Sequence, residues 1–494
     1  MTIGLAHPPQ PRKNSSFSTA DRRGLALSVY RCFQNYYHGL RLLGPDPQYI
    51  GNVRLSINHW QIRDLVQVDE STGAVFHTLD EHIRVMTMKT RSVLGPIRTR
   101  NHVSLPYRPR CFHHAAGGLV VAGGVLTTLA RACLMGLANL TLDFLGPAAA
   151  RQARGLFSVH SPAMGAEMSF LLGGMINNAV KIYAQQNSAA AYTAYACNND
   201  LGLYRIDVSD AGVRGDRRIV CDPDTSLNNV HLSADGRMLT ATGDSGAVFL
   251  VDPALPDPVV RTISTPHDSG FGISYHRNEL VFATAFQDGT CCMFDLRNTS
   301  SPLHEVRSTR AGHQLGAFRT CRFLHSPVHD LLAVLEHLGR VHLVDVRDLL
   351  PESHQVMVFP FALDQYARCG HVGTQLDDDF ATDTHRATSI YNDGAAHFPA
   401  PLVYDHDYLA DVNPNLFRGY TYEPQQAAAA PSLAATRRAQ ELYRQSVSHV
   451  NGEMEIAGLD WLGNQLLVGC EDGGFLVWDV NLRARRSLGS FSYV

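Results

Sequence analysis

The chain has 494 residues, 45% hydrophobic and 18% charged, enough apolar material for one large core or roughly two to three smaller ones. That composition excludes a chain disordered throughout. With 42 Lys and Arg against 46 Asp and Glu, the net charge is −4, so no whole-chain field draws it to nucleic acid or an anionic membrane, and neither is an expected partner.

The opening stretch MTIGLAHPPQPRKNSSFSTADRR lacks an apolar h-region, so secretion through a signal peptide is not expected. Residues 1–52 read as an N-terminal extension, partly disordered. Ten Cys are scattered without a C-x-x-C pair, and Cys197, Cys291, Cys292, Cys321 and Cys470 sit in apolar stretches. Buried, reduced thiols in a cytoplasmic or nuclear protein are the expectation. The apolar segment at 125–146 has only eleven uncharged residues between Arg131 and Asp143, too few to span a bilayer.

From residue 53 the chain alternates short apolar runs with turn residues. NHWQIRDLVQVDESTGAVFHTLDEHIRVMTMKT (58–90) forms a first unit and RPRCFHHAAGGLVVAGG (108–124) begins a second. Residues 125–165 read as a helical, Ala/Leu-rich insertion in that second unit. NNAVKIYA, followed by YTAYACNNDLGLYRID (192–207), makes a third. Four clearer units follow at 231–252, 275–295, 323–345 and 461–479. Each has an apolar run, a polar turn with Gly, a second apolar run, then Asp.

In all four the Gly-to-Asp spacing is six: Gly246 to Asp252, Gly289 to Asp295, Gly339 to Asp345 and Gly473 to Asp479. Gly permits the positive φ of a tight hairpin, while β-branched and aromatic neighbours fill two central strands. Asp252 to Asp295 is 43 residues and Asp295 to Asp345 is 50, the period of a four-stranded propeller blade. The predicted architecture is all-β, a seven-bladed propeller: blades one to six over 53–360 and blade seven over 454–494. Either VRLSI (53–57) or the chain end SLGSFSYV should complete the last blade. Residues 361–453 form a long second insertion, with DDD at 377–379 and a helical stretch at 433–447.

A P-loop, H-E-x-x-H, G-x-S-x-G and an EF-hand loop are all absent from the sequence. YDHDYLAD (404–411) reads as solvated side chains, and His113 and His114 as hydrogen-bonded blade histidines. No catalytic residue, metal or cofactor is expected, although a propeller hydrolase stays open as a distant alternative.

The remaining candidate site is the ring of strand starts. Reading back four residues from Phe112, Ile182, Leu232, Tyr275, Phe323 and Trp461 gives Arg108, Asn178, Asn228, Phe271, Arg319 and Ala457. Arg108 and Arg319 for carboxylates, Asn178 and Asn228 for backbone amides and Phe271 for an apolar side chain suit an extended peptide. The same residues also suit capped turns and solvated cations. At the chain end, Phe491, Tyr493 and Val494 alternate with Ser490 and Ser492. They read as an outer strand or as a docking tail for a partner.

The four Gly-to-Asp units resemble WD repeats, with VWD at 477–479 the best match. CRFLHSPVHDLLAVLEHLGRVHLVDVRD (321–348) is similar to a short domain of unknown function with an Asp-Leu-Leu signature and a downstream Glu-His, found in a family of fungal WD-repeat proteins. Here those residues are Asp330, Leu331, Leu332, Glu336 and His337; NHWQIRDL (58–65) and INN (176–178) are similar too. The resemblance implies a non-catalytic adaptor, a substrate receptor of the GID ubiquitin ligase that recognises protein N-termini. Its partners would be ligase subunits and substrate peptides; a general WD-repeat scaffold is the alternative. An N-terminal amine needs a carboxylate, which would come from Glu336 or from the 361–453 insertion.

Overall fold

A computed structural model of the chain describes residues 42–44, 48–50, 53–88, 97, 99–126, 154–162, 166–185, 191–209, 212–308, 312, 314–326, 330–347, 349, 354–359, 455–471 and 474–481. The repeated Asp has a local role. Asp252, Asp295 and Asp345 each follow or end a strand, and each accepts the amide two residues on: Ala254 at 2.9 Å, Arg297 at 2.9 Å and Arg347 at 3.2 Å. Such Asx turns start the next hairpin. Gly289 and Gly339 take φ of +82° and +57° in the preceding turn, as the spacing predicts. Gly246 differs: it lies inside a strand, where a Cβ would come within 2.3 Å of the His267 carbonyl oxygen.

The strands form seven four-stranded antiparallel sheets. The blades, inner strand first, begin with Val66–Asp69, Cys111–Ala115, Asn177–Ala184, Leu227–Leu232, Gly270–Tyr275, Phe318–Phe323 and Ile456–Leu462. Each inner strand touches those of both neighbouring blades, and Val66–Asp69 meets both Cys111–Ala115 and Ile456–Leu462, closing a seven-bladed propeller. Each of seven apolar clusters lies between two adjacent blades. Successive residues therefore serve opposite neighbours: Leu331 packs toward blade seven and Leu332 toward blade five, both fully buried. Burial of each such side chain contributes about 1.5–3 kcal/mol.

Two expectations need correction. Gly155–Ser161, inside the segment read as a helical insertion (125–165), is the third strand of blade two. Leu156 packs toward blade one, Phe157 and Val159 toward blade three, and the intervening Ser158 hydroxyl is bonded to Tyr107 (2.9 Å) and Ser169 (2.7 Å). The rest of that insertion, 127–153, lies outside the described residues, as do 361–453 with its expected helix and the tail containing Phe491, Tyr493 and Val494. Blade seven is completed by Gln48–Ile50, which pairs with Phe475–Val477 and comes from the stretch read as an extension. A bridge from Leu43 to Val480 and the Leu42 amide on Gln355 Oε1 (2.8 Å) anchor the chain beside it. Among the described residues, no helix is long and apolar enough to cross a membrane.

Candidate peptide-binding mouth

In antiparallel blades the lead into each inner strand and the turn between the second and third strands fall at the same end. That end carries the predicted ring. In blades three to seven the inner strand's ladder slips at its second residue: Asn178, Asn228, Phe271, Arg319 and Ala457 are each skipped by the pairing. A bulge of this kind re-aims a side chain away from the ladder. Asn178, Asn228, Phe271 and Arg319 consequently line one cavity, together with Ile62, Arg63, Asp64 and Lys181. Its volume of about 20 Å³ holds roughly one water.

The ring residues are already joined to one another. Asn178 Nδ2 donates to Asn228 Oδ1 (2.9 Å) and the Leu227 carbonyl (3.1 Å); Asn228 Nδ2 donates to Asp244 (2.7 Å) and the Gly270 carbonyl (3.2 Å). Those donors link blades three, four and five. Arg319, 2% exposed, lies over the Phe271 ring at 4.5 Å from its centroid and donates to His337 Nδ1 and Gln287 Oε1, both at 3.3 Å. The face of Phe271 expected to meet a ligand is thus covered by a guanidinium. The cation–π contact and the desolvated charge hold both side chains at the mouth.

Arg108 does not join this cavity. Its guanidinium pairs with Asp80 (3.0 Å) and Glu81 (3.3 Å) at the junction of blades one and two, and its side chain is 39% exposed. The inter-blade bonds show the reason. Between bulged blades five and six, Ser274, three residues past its ring position, takes the amide of Phe323, four residues past the next one (3.0 Å). The same kind of bond joins a bulged to an unbulged blade where Asp460 accepts from Val68 (2.8 Å) and His113 from Ile182 (3.2 Å). Gln67 accepts from His114 in the same way (3.3 Å). Counting back places Asp64 and Arg110 at the ring positions of blades one and two. His114, not Phe112, is therefore the blade-two residue four positions past the ring, which places Arg108 two residues before the ring position.

Asp64 is the ring's carboxylate, which sequence reasoning missed. It reaches across the channel to Lys181 Nζ (2.9 Å) in blade three and to Arg322 in blade six, which also stands 4.0 Å from Asp460. Burial raises the Asp64 carboxyl, but the charges of Arg322 and Lys181 outweigh it and hold the group well below the usual carboxylate range. Asp460, where burial dominates over Arg322, is pushed up to about 6.

The segment Asn58–Asp64 lies over the mouth. Asn58 Nδ2 donates to the Pro109 (2.9 Å) and Asp80 (3.0 Å) carbonyls, and Arg63 donates to the His59 carbonyl (2.7 Å) and to Glu455 (2.9 Å). Gln61 Nε2 reaches Gln287 Oε1 in blade five (3.3 Å), spanning the opening from blade one. Burial first, then Arg110, Arg63 and Arg319, lower the His59 pKa to about 4, so the imidazole is neutral at pH 7. Its neighbour Trp60 is 60% exposed at the tip. The NHWQIRDL motif contains this Trp, and Trp is among the residue types that anchor interfaces.

The Asp-Leu-Leu…Glu-His residues build blade six. Asp330 accepts from His276 Nε2 (3.4 Å), whose pKa that bond raises. Glu336 is fully buried, accepts from the Ser308 hydroxyl (2.7 Å) and pairs with His342 Nε2 (2.6 Å). It therefore supplies no carboxylate at the surface, contrary to expectation. His337 acts on the mouth through Arg319.

Residues 316–358 match an uncharacterised protein domain (DUF2415). An uncharacterised protein of Saccharomyces cerevisiae is 28% identical over 403 residues, covering 63% of this chain and 54% of its own length; the chain thus spans about half of that relative. An uncharacterised protein of Schizosaccharomyces pombe is 22% identical over 351 residues, covering 68% of this chain and 88% of its own. Among solved structures, a chain from the crystal structure of a mitotic checkpoint complex is similar at 10% identity and TM-score 0.42, over 63% of this chain and 84% of that one.

Proposed function

We propose that this propeller is a non-catalytic substrate receptor, holding a peptide segment at the mouth formed by Asn58–Asp64 and the ring and presenting the bound protein to a GID-type ubiquitin ligase. The observation that carries the binding half is the set of five bulges at one end of five blades, four of whose residues converge on one cavity that Ile62, Arg63 and Asp64 also line, two residues along the chain from exposed Trp60. The ligase half rests on the likeness of NHWQIRDL and the Asp330–His337 segment to the fungal family. An ammonium group entering here would meet Asp64 already neutralised by Lys181 and Arg322, with Arg110 and Arg319 nearby. That charge balance favours a peptide bringing a carboxylate.

Affinity purification of the tagged full-length protein from its host, with mass spectrometry, tests both halves. Ligase subunits should co-purify with wild type and with Trp60→Ala/Arg319→Ala, while substrate proteins are lost from the double variant. Recovery of a stable assembly without ligase subunits would assign the protein to a general scaffold role instead. Unchanged substrate recovery in the double variant would remove the mouth as the binding surface.

A further inference from the structure

We infer that His267, Cys292 and Glu305 in blade five form a binding site for a thiophilic divalent cation of the zinc class, separate from the mouth. Each residue offers one ligand atom, and these atoms all lie within 4.8 Å of one another. His267 comes from the connection between blades four and five, Cys292 from the third strand of blade five and Glu305 from its fourth, directly opposite Cys292 in the ladder. The pairing of two strands and the packing of the His267 ring on Phe286 (centroids 5.0 Å apart) bring three elements together independently of any metal.

The imidazole is oriented for coordination. His267 Nδ1 lies 2.8 Å from Asp288 Oδ2, and a carboxylate can only accept, so Nδ1 carries the hydrogen and Nε2 presents its lone pair. Nε2 points toward Glu305 Oε1, 3.9 Å away. A carboxylate on the far nitrogen is the outer-shell arrangement that fixes the tautomer of metal-bound histidines. One nitrogen, one sulfur and one oxygen ligand suit zinc or cobalt(II) rather than calcium or magnesium, which take oxygen alone. Three protein ligands leave a fourth position for water. Closing the triangle to tetrahedral ligand separations needs shifts on the order of 1 Å, small for side chains on paired strands.

Burial and charge are compatible with this reading. Cys292 is buried and the His267 side chain 9% exposed, while the Glu305 side chain is 32% exposed and gives the cation an entry path. Binding exchanges the thiol proton, released to solvent, for the metal–sulfur bond. The two ligating anions then neutralise the dication, and Asp288 stays paired with the His267 N–H. Arg307, 3.1 Å from Glu305, gives up that exposed contact.

Cobalt(II) titration of the full-length protein, after chelator treatment, tests the site. One equivalent should produce a near-ultraviolet sulfur-to-cobalt charge-transfer band that zinc abolishes by displacement. Cys292→Ser should remove the band, and Glu305→Gln, at a half-exposed position that leaves the core intact, should lower affinity by at least about tenfold, the loss that even outer-shell changes cause. Absence of the band in wild type overturns the proposal, as does a band that survives in either folded variant at unchanged affinity. If Cys292→Ser fails to fold, the Glu305→Gln titration decides alone.

Discussion

Blades three to seven and blades one and two reach the same mouth by different routes. In the five bulged blades a slip in the inner ladder aims the ring residue, so its position is set within its own hairpin. Blades one and two have unbroken inner ladders, and their ring residues, Asp64 and Arg110, precede the strand. There, position is set from a distance: Asp64 is held by Lys181 and Arg322 of two other blades, and the segment before it is tied to blades two and five. A site can therefore be repetitive in geometry and still depend on a few long-range ion pairs where the repeat lapses.

The sharpest way to break this arrangement is Asp64→Ala. It leaves Lys181 and Arg322 facing each other in the channel without their shared anion, and a loss of about 3–5 kcal/mol in unfolding free energy is expected. Urea denaturation measures it; a change below about 1 kcal/mol would show that the channel charges are solvated.

The pH dependence of stability separates the two channel acids. Asp64, depressed in the folded state, contributes stability that is complete above its ordinary pKa and lost as pH falls below about 4. Asp460, raised from 3.8 to about 6, works in the opposite sense: its contribution is greatest at low pH and is lost as pH rises from about 4 through 6. Asp460→Asn should remove that decline, about 1–3 kcal/mol between pH 4 and 7.5. Equal slopes for wild type and variant would mean that Asp460 stays ionised throughout.

Substitutions at the rim sharpen the contrast further. Arg319→Ala, at a bulged and desolvated position, should weaken peptide binding by about 1–3 kcal/mol in a fluorescence titration while the blade stays folded. Arg108→Ala, in exposed ion pairs off the cavity, should change neither binding nor stability by more than about 1 kcal/mol. If Arg108→Ala weakens binding as much as Arg319→Ala, the peptide extends over blades one and two rather than entering the cavity.

The blade number and the four clearest hairpins were legible in the sequence because their cause is local. In three of the four hairpins an Asp accepts the amide two residues on, and in two of these a glycine at positive φ stands six residues before it, so the causes act within a short stretch of chain. Asn178, Asn228, Phe271 and Arg319 could be picked out for the same reason: an apolar residue four positions later marks each strand. Arg110 carries no such mark, because blade two's inner strand, CFHHA, has histidine where the other blades have that apolar residue. Gly155–Ser161 was hidden by the Ala- and Leu-rich stretch before it, and its burial depends on partners in both neighbouring blades.

By itself, then, the sequence determined that this chain is a ring of β-hairpin blades and which end of each hairpin faces the mouth, since turn chemistry and period-two alternation act between near neighbours. Tertiary structure alone decided the rest. Gln48–Ile50 has only three residues and no periodicity of its own, yet it completes blade seven because the open edge of Gly474–Asp479 lies beside it when the ring closes. Asp64 became the carboxylate of the mouth because closure brings blades one, three and six within reach of a single side chain. Contacts between residues more than a hundred positions apart carry no local signature, and closure is what creates them.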